Sequence, residues 1–366
     1  MFIQINMAVS KRLKGIYMGF FYGIETWCAN RISNFQERRY LRKYGPKTPI
    51  PIDYKKAVKE FWKRYTHVSP KWAWYYASKN GILDPRYIPN TLIYTKIDQH
   101  FNNRKIGYGF NDKNYYSLIF PEVRQPEVLA RNIGGIFVDA NYNLIDIERV
   151  LSLISTQSEV ICKPSLESGS GRSIQFWNTK TDKREIHAFL NKSQERDYII
   201  QKLIEQHDEL NRVHAGSVNS LRIVSILMQD GVYILSSNLR MGVDEGRVDN
   251  VTAGGISCGI NEDGTLKKYA TSYYTGDRFE KHPQGLVFEG FKIPSYDKAV
   301  ELVKKAHSLI PHFRLVSWDI AIDKESEPVL IEANMRKGGI NLNQFNNGPL
   351  FGELTEMVLD EVFGKQ

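Results

Sequence analysis

Short apolar runs separated by polar turns dominate the second half of the chain. They have the length of buried strands and are bounded by turn-forming residues, at 159–165, 197–205, 219–227, 232–241, 316–323 and 328–334. Residues 296–310 carry apolar side chains at helical spacing and predict an amphipathic helix. Because strand and helix patterns alternate irregularly, the sequence predicts an α+β fold rather than a regular βαβ winding.

The first half has a different pattern. Residues 1–45 read as basic and helical up to a group of prolines, and residues 54–80 read as helical and rich in Trp and Tyr. Such aromatic side chains are typical of core positions. A short helix is expected near 146–155, after a stretch of short strands and turns.

The composition is that of a globular protein. The 366 residues correspond to roughly two or three domains, and the 42% hydrophobic content excludes wholesale disorder. The three cysteines are far apart and form no CxxC pair, so neither a disulfide framework nor a zinc finger is indicated. We therefore expect a reducing, cytoplasmic location.

Most of the net charge of +8 belongs to residues 1–45, which hold eight basic and two acidic residues. The remaining chain is nearly neutral, which argues against a nucleic-acid partner. The apolar run at 15–27 is interrupted by Glu25 and falls short of the ~20 residues that span a membrane. Two interpretations stay open: a helix docked on the folded domains, which we favour, or a peripheral helix on a membrane surface.

Residues 316–334 carry the most informative pattern. Two apolar strands flank a polar turn, which predicts a hairpin in which Asp319 and Glu332 are equidistant from the turn centre and face each other. Asn334 lies on the same face as Glu332. Two such carboxylates repel each other unless a cation lies between them, and oxygen ligands suit Mg²⁺. An exposed polar face of a hairpin is equally compatible with the spacing.

A Gly/Ser-rich loop follows the first of these strands. Lys163 ends the strand, and Ser168 and Gly169 lie in the loop, whose glycines let backbone amides approach phosphate oxygens. Lys163 would add a point charge. The loop is neither a Walker A nor a Gly-x-Gly-x-x-Gly motif, and taken alone it is more often a plain turn.

The next apolar strand ends at Gln201 and Lys202 and continues into Ile204 and His207. Its backbone could meet an adenine edge, and the polar residues after it could meet a ribose. The alternative is a buried strand that simply leaves the sheet.

Two arginines, Arg222 and Arg240, lie in adjacent predicted strands among apolar residues. An arginine in such a place is costly unless its charge is paired. An anionic ligand would satisfy both side chains, and so would structural carboxylates.

Together these features resemble the ATP-grasp superfamily of carboxylate–amine ligases. The D-x12-E-x-N pattern of its metal site stands here as Asp319, Glu332 and Asn334. The Lys-Pro-Ser start of its phosphate loop begins at Lys163, and its Asp-Lys pair ends at Lys113.

The hinge strand of that superfamily carries an acid, a lysine and an aliphatic residue. Here Gln201 replaces the acid, although its carbonyl oxygen can still accept a hydrogen bond from an adenine amino group. Lys202 matches the lysine.

A narrower resemblance covers most of residues 50–360. The runs GYGFNDKN, IIQKLIEQH, SVNSLRIV, VDNVTAGGIS, SWDIAI and IEANMRKGG resemble the sugar-transfer associated ATP-grasp proteins, which are related to α-L-glutamate ligases. The resemblance implies two α+β subdomains that grip ATP, preceded by a mainly helical N-terminal region. The implied units are a basic segment 1–45, an N-terminal domain 46–124, a small subdomain 125–202 with the phosphate loop, and a large subdomain 203–366 with the metal site.

The resemblance also implies an activity that uses ATP and Mg²⁺. ATP would phosphorylate a carboxylate, and an amine such as an amino acid would capture the acyl phosphate. The association of the family with surface polysaccharides points to a uronic acid or a nucleotide sugar as the carboxylate. The implied residues are Arg222, Arg240 and Gly338 for catalysis, Lys113, Lys163, Ser168, Gly169, Gln201, Lys202, Ile204 and His207 for the nucleotide, and Asp319, Glu332 and Asn334 for the metal. A kinase acting on a sugar or carboxylate and a non-catalytic nucleotide-binding protein are the alternatives.

Overall fold

The fold is that of a computed structural model, which describes residues 39–166, 173–192, 196–336 and 338–364. Two sheets line a common cleft, and within the described residues every strand pairing is antiparallel. A helical N-terminal region packs against the larger sheet.

Helices make up the N-terminal region. The two longest are α1 (Ile52–Lys63) and α2 (Pro70–Asn80). Short helical segments follow, at Asn90–Leu92, Ile93–Ile97, Asp98–Phe101, Gly107–Asn111, Lys113–Tyr115 and Tyr116–Ile119. The pattern predicted one helical stretch over 54–80. In the structure the first helix ends at Lys63 and residues 64–69 separate it from the second. Pro70 begins the second helix, where its missing backbone N–H costs no hydrogen bond.

The small sheet has five strands in the order β2-β1-β5-β3-β4. They are β1 (Val128–Ile133), β2 (Ile136–Val138), β3 (Glu159–Pro164), β4 (Gln175–Asn178) and β5 (Tyr198–Lys202). Helices α3 (Ile147–Ser155) and α4 (Lys183–Lys192) cover one face around Val150, Trp177 and Leu190. Because side chains alternate along a strand, Lys163 and Gln201 lie on the other face, which lines the cleft.

The large sheet has seven strands in the order β10-β9-β8-β7-β6-β11-β12. A short helix, α5 (Asp208–Val213), precedes it. Its strands are β6 (Leu221–Met228), β7 (Gly231–Met241), β8 (Ile256–Ile260), β9 (Leu266–Ser272), β10 (Arg278–Phe279), β11 (Leu315–Ile322) and β12 (Pro328–Asn334). Helix α6 (Tyr296–Ser308) packs on one face, around Ile223, Val303 and Trp318.

The opposite face of the large sheet is shared between a second core and the cleft. Helices α7 (Asn341–Asn347) and α8 (Thr355–Phe363) join α1 and α2 in that core, which includes Val224 and Ile226 of β6. Arg222, two residues before Val224, lies on the same face but lines the cleft. One strand face therefore passes from core to ligand site along its length.

The strands and the amphipathic helix predicted for the second half of the chain are confirmed. No helix in the described part of the chain is long and apolar enough to cross a bilayer. Most of the basic segment 1–45 lies outside the described residues. Its last part packs on the protein, since the Tyr40 ring stacks 6.3 Å from Trp72 and the Tyr44 ring 5.6 Å from Tyr274.

Candidate functional site

A cleft of about 910 Å³ lies between the two sheets. Pockets for small molecules and cofactors commonly measure about 300–1,000 Å³. The small-sheet side combines apolar side chains, among them Ile161 and Phe176, with the polar side chains of Lys163 and Gln201. The large-sheet side supplies several charged side chains, among them Arg222 and Asp319.

The hairpin of β11 and β12 carries the predicted metal residues. Asp319 lies directly opposite Glu332, as the spacing predicted, and Asn334 is the next residue on that face. The ladder near the turn has a different register, and a bulge at Ile331 brings the two acids opposite each other. The Asp319 side chain is only 7% exposed and that of Glu332 27%. This burial rules out a merely solvent-exposed polar face.

Asp319 is held by both predicted arginines. Arg222 donates from Nε to Oδ1 at 2.5 Å and from Nη2 to Oδ2 at 2.9 Å, and Arg240 Nη1 lies 3.2 Å from Oδ1. Burial alone would raise the pKa of the Asp319 carboxyl, but the charges of Arg222 and Arg240 outweigh it and hold the pKa below its ordinary value. Asn334 Nδ2 adds a donor at 3.4 Å.

Arg240 is shared between two carboxylates. Its Nη2 lies 3.4 Å from Asp249 Oδ1, and the other Asp249 oxygen accepts from the Ser220 hydroxyl. Burial works against the charged form of Arg240, but Asp249 and Asp319 outweigh it and raise the pKa further. The buried Nε of Arg240 has no partner. Structural carboxylates therefore satisfy most, but not all, of this guanidinium.

Two lysines approach the same hairpin. Lys113 Nζ lies 2.6 Å from Glu332 Oε1, and its side chain is only 4% exposed. The buried Lys163 makes no hydrogen bond or ion pair within the described chain. Burial, and then the neighbouring charge of Lys113, lower the pKa of Lys163 to about 8. Such a lysine gains most from an incoming anion.

The predicted adenine contacts divide into two groups. Gln201 and Ile204 line the cleft, and the buried Oε1 of Gln201 has no hydrogen-bond partner. Lys202 also borders the cleft, but its ammonium pairs with Glu127 at 2.7 Å. His207 is not among the lining residues. Its Nδ1 caps α5 by accepting from the Glu209 backbone N–H at 3.1 Å.

Gly338 lies where the chain passes closest to β11. A Cβ on this residue would lie 2.3 Å from Ser317 Oγ, so only glycine fits here, and its carbonyl accepts from Arg222 Nη1 at 2.9 Å. Its backbone lines the cleft. The predicted loop residues Ser168 and Gly169 lie outside the described residues.

A sequence profile of one family covers most of this architecture. The profile described as sugar-transfer associated ATP-grasp matches residues 94–358. The chain belongs to the sugar-transfer associated ATP-grasp family. The match begins within the short helices before Lys113 and ends in α8, so it includes both sheets and the whole cleft. The ATP-grasp fold implied by the sequence motifs is therefore confirmed.

Solved structures of other ATP-grasp proteins are similar to this family member at low identity. The ATP-grasp ligase PsnB, complexed with a minimal precursor, is 12% identical with a TM-score of 0.42, over 71% of this chain and 64% of that chain. An L-amino acid ligase from Bacillus licheniformis is 14% identical with a TM-score of 0.39, over 69% of this chain and 47% of that chain. D-alanyl-alanine synthetase A from Vibrio cholerae O1 biovar eltor is 12% identical with a TM-score of 0.40, over 70% of this chain and 65% of that chain. The chain thus spans less than two thirds of each of these proteins. No curated protein matches it.

Sequence reasoning missed several residues of the cleft. Asp249, the second partner of Arg240, comes from the loop after β7. Arg247, from the same loop, pairs with Glu159 of the small sheet at 2.9 Å and lies 3.9 Å from the Phe176 ring. Asp249 lies in the run VDNVTAGGIS, which resembles the family, but neither ion pair has a local signal, since both depend on how a long loop folds back.

The residues present fit a magnesium nucleotide in three respects. The orphaned Gln201 Oε1 can accept from an adenine amino group, and Lys163 has a buried positive charge for phosphate. The hairpin offers two carboxylates and an amide oxygen. Within the described chain no three His, Cys, Asp or Glu side chains cluster as metal ligands.

Proposed function

We propose that the protein is an ATP- and Mg²⁺-dependent carboxylate–amine ligase that works through an acyl phosphate. One observation carries the proposal. Glu332, Asp319 and Arg222 lie side by side on three neighbouring strands, facing a cleft whose other wall presents the unpaired Lys163. Metal-type carboxylates, an anion-binding arginine and a phosphate-type lysine thus meet in one place.

The nucleotide is assigned to the small-sheet side. Gln201 accepts from the adenine amino group, Ile204 contacts the base, and Lys163 binds phosphate oxygens. Asp319, Glu332 and Asn334 hold the metal. When bound, Mg²⁺ offsets the negative charge that develops as a phosphoryl group is transferred.

The carboxylate substrate is assigned to the arginine side. Arg222, and Arg240 through its free Nε, hold the carboxylate and then the acyl phosphate. The backbone of Gly338, which lines the cleft beside Arg222, lies close to the acyl group. A carboxylate oxygen bonds to the γ-phosphorus and ADP leaves. The amine nitrogen then bonds to the acyl carbon, phosphate leaves, and the nitrogen loses one proton.

The finer assignment is an amide between a sugar carboxylate and an amino acid in surface-polysaccharide biosynthesis. The family description, which associates these proteins with sugar transfer, supports it. We place the reaction in the cytoplasm, with residues 1–45 docked on the folded domains and a peripheral membrane contact of this segment as the alternative.

An ADP-release screen tests the function. The full chain is incubated with ATP, Mg²⁺, a set of uronic acids and nucleotide sugars, and a set of amino acids. We expect ADP release that requires both a carboxylate and an amine, and an amide detected by mass spectrometry. ADP release with a phosphorylated product and no amine requirement would identify a kinase instead. ATP binding without any turnover across the set would identify a nucleotide-binding protein.

A further inference from the structure

Lys113 connects three parts of the cleft. Its ammonium pairs with Glu332 of β12 at 2.6 Å, and its backbone N–H donates to the Ser165 carbonyl, where the phosphate loop begins, at 3.0 Å. The residue itself belongs to the helical segment Lys113–Tyr115 of the N-terminal region. No other ion pair of Glu332 occurs within the described chain.

The backbone around Lys113 is fixed against β12. Three residues on, the Tyr116 hydroxyl accepts from the Ala333 N–H at 3.0 Å and donates to the Ala333 carbonyl at 3.2 Å, directly beside Glu332. The Asp112 side chain accepts from the Asn114 N–H and fixes the start of the turn. Any exchange of partners by Lys113 must therefore come from its four-carbon stem, which is flexible.

The two acids of the hairpin are neutralised differently. Asp319 is gripped by two planar guanidiniums and an amide, in a geometry that is lost only if several bonds break together. Glu332 has a single ammonium on a flexible stem. A cation that enters the hairpin displaces one bond at Glu332, whereas at Asp319 it must compete with four existing hydrogen bonds.

We propose that Lys113 is a built-in competitor for the metal at Glu332. This inference rests on the proposed function. Without nucleotide, the ammonium occupies the carboxylate and keeps a divalent cation out. When a metal nucleotide enters, the phosphates take over the ammonium and Glu332 is released to the metal. Metal binding is thereby tied to nucleotide binding, and Lys113 acts as a positioning residue for this exchange.

Direct titration with Mn²⁺, followed by electron paramagnetic resonance and calorimetry on the full chain, tests the exchange. Wild type should bind Mn²⁺ weakly alone and much more tightly with ADP. Lys113→Met removes the competitor, so its Mn²⁺ affinity without nucleotide should rise by about tenfold, given the close contact of the charges. The increase in Mn²⁺ affinity on addition of ADP should be smaller in this variant than in wild type. An unchanged or weaker Mn²⁺ affinity in this variant would overturn the proposal.

Lys163→Met is the matched control. It removes the same charge from the same cleft, but Lys163 makes no bond to Glu332. Its gain in Mn²⁺ affinity should stay below about threefold, because a Coulomb interaction falls with distance. Equal gains in both variants would reduce the effect to general charge and contradict the competitor role. Lys113→Arg should behave as wild type, which covers the case in which Lys113→Met folds poorly.

The result is separable from the ligase assignment. Wild type that binds no Mn²⁺ even with ADP would contradict the metal site of the proposed function itself. Wild type that binds Mn²⁺ with ADP, together with a Lys113→Met variant that gains nothing without it, contradicts only the competitor role.

Discussion

The large-sheet wall and the small-sheet wall of the cleft hold their buried polar groups in different states. On the large sheet the charged groups satisfy one another, as Arg222 with Asp319 and Arg240 with Asp249. On the small sheet, Lys163 and Gln201 Oε1 have no partner in the described chain. A ligand therefore completes the small-sheet wall by simple addition, whereas on the large-sheet wall it must replace bonds that already exist.

The hairpin of the large-sheet wall should give the largest effect. Glu332→Gln keeps the shape of the side chain and an acceptor for Lys113 but removes the negative charge. We expect turnover to fall about a thousandfold, since a metal contributes several kcal/mol of charge stabilisation. Thermal unfolding should stay within a few degrees of wild type. If the folded variant released ADP at the rate of wild type, Glu332 would not be a metal ligand.

The closed network predicts a stability effect. Among the described residues, Arg222→Met leaves the buried Asp319 with Arg240 as its only cationic partner, and we expect a loss of about 3 kcal/mol in the free energy of unfolding. Arg247→Met serves as the comparison, because its ion pair with Glu159 is nearly half exposed and should contribute no more than about 1 kcal/mol. Urea unfolding measures both. Equal losses would mean that the network on the large sheet is not mutually stabilising.

On the small-sheet wall we expect a substitution that increases the free energy of unfolding rather than decreasing it. Lys163→Met removes an unpaired buried charge, so it should stabilise the free protein at neutral pH while weakening ADP binding by about tenfold. Calorimetry with ADP and Mg²⁺ measures the binding, and urea unfolding the stability. A variant that is both less stable and unchanged in ADP binding would show that Lys163 is a structural residue.

The lowered pKa of Lys163 adds a pH dependence. The free site loses this charge as the pH rises through about 8, so ADP affinity should fall between neutral pH and pH 9 in wild type but not in Lys163→Met. Between about 8 and the ordinary value of 10.5, the unfolded chain holds a proton that the folded chain has released. Folding stability should therefore rise with pH in that interval. A flat wild-type profile would contradict the burial of the charge.

Gln201→Leu should give the smallest effect. The change removes a buried carbonyl oxygen that has no partner and one long hydrogen bond, from Nε2 to the Pro126 carbonyl at 3.4 Å, so the free protein should lose little stability. ATP affinity should fall by about fivefold, and the preference for ATP over GTP should disappear, because a single neutral hydrogen bond contributes about 1 kcal/mol. An unchanged ratio of ATP affinity to GTP affinity would show that Gln201 does not contact the adenine.

The hairpin was predictable because its signal is local. Asp319, Glu332 and Asn334 are separated by one turn, so their spacing predicts one shared face. The structure reaches this pairing through a bulge at Ile331 rather than through a symmetric ladder. Asp249 could not be found in this way, since only the folding back of a long loop brings it to Arg240. His207 has a polar ring that could meet a ribose and follows the predicted adenine strand. Its Nδ1, however, accepts a hydrogen bond from the Glu209 backbone N–H at the start of α5, which the sequence did not indicate.

Helix α7 shows a second limit of sequence patterns. Four of its seven residues are asparagine and one is glutamine, so it has no apolar stripe, yet most of the helix is buried. Its amides bond instead to polar groups of the sheet, as when Asn343 Oδ1 accepts from Asn238 Nδ2 at 2.6 Å. A search for hydrophobic periodicity passes over a helix whose burial is satisfied by hydrogen bonds.

The bulge at Ile331 accommodates one extra residue in β12. Leu330 and Ala333 both pack in the core beneath α6, although residues three apart in an uninterrupted strand point to opposite faces. The inserted residue shifts the frame once, so that the apolar side chains stay inside on both sides of the bulge while Glu332 and Asn334 turn outward to the cleft. Deleting Ile331 would give a regular strand in which Asp319 still lies opposite Glu332. Straightening the bulge with Ile331 kept in the strand would instead place Glu332 and Asn334 on the core face, beside Leu330. The site therefore depends on one backbone irregularity as much as on the identities of its residues.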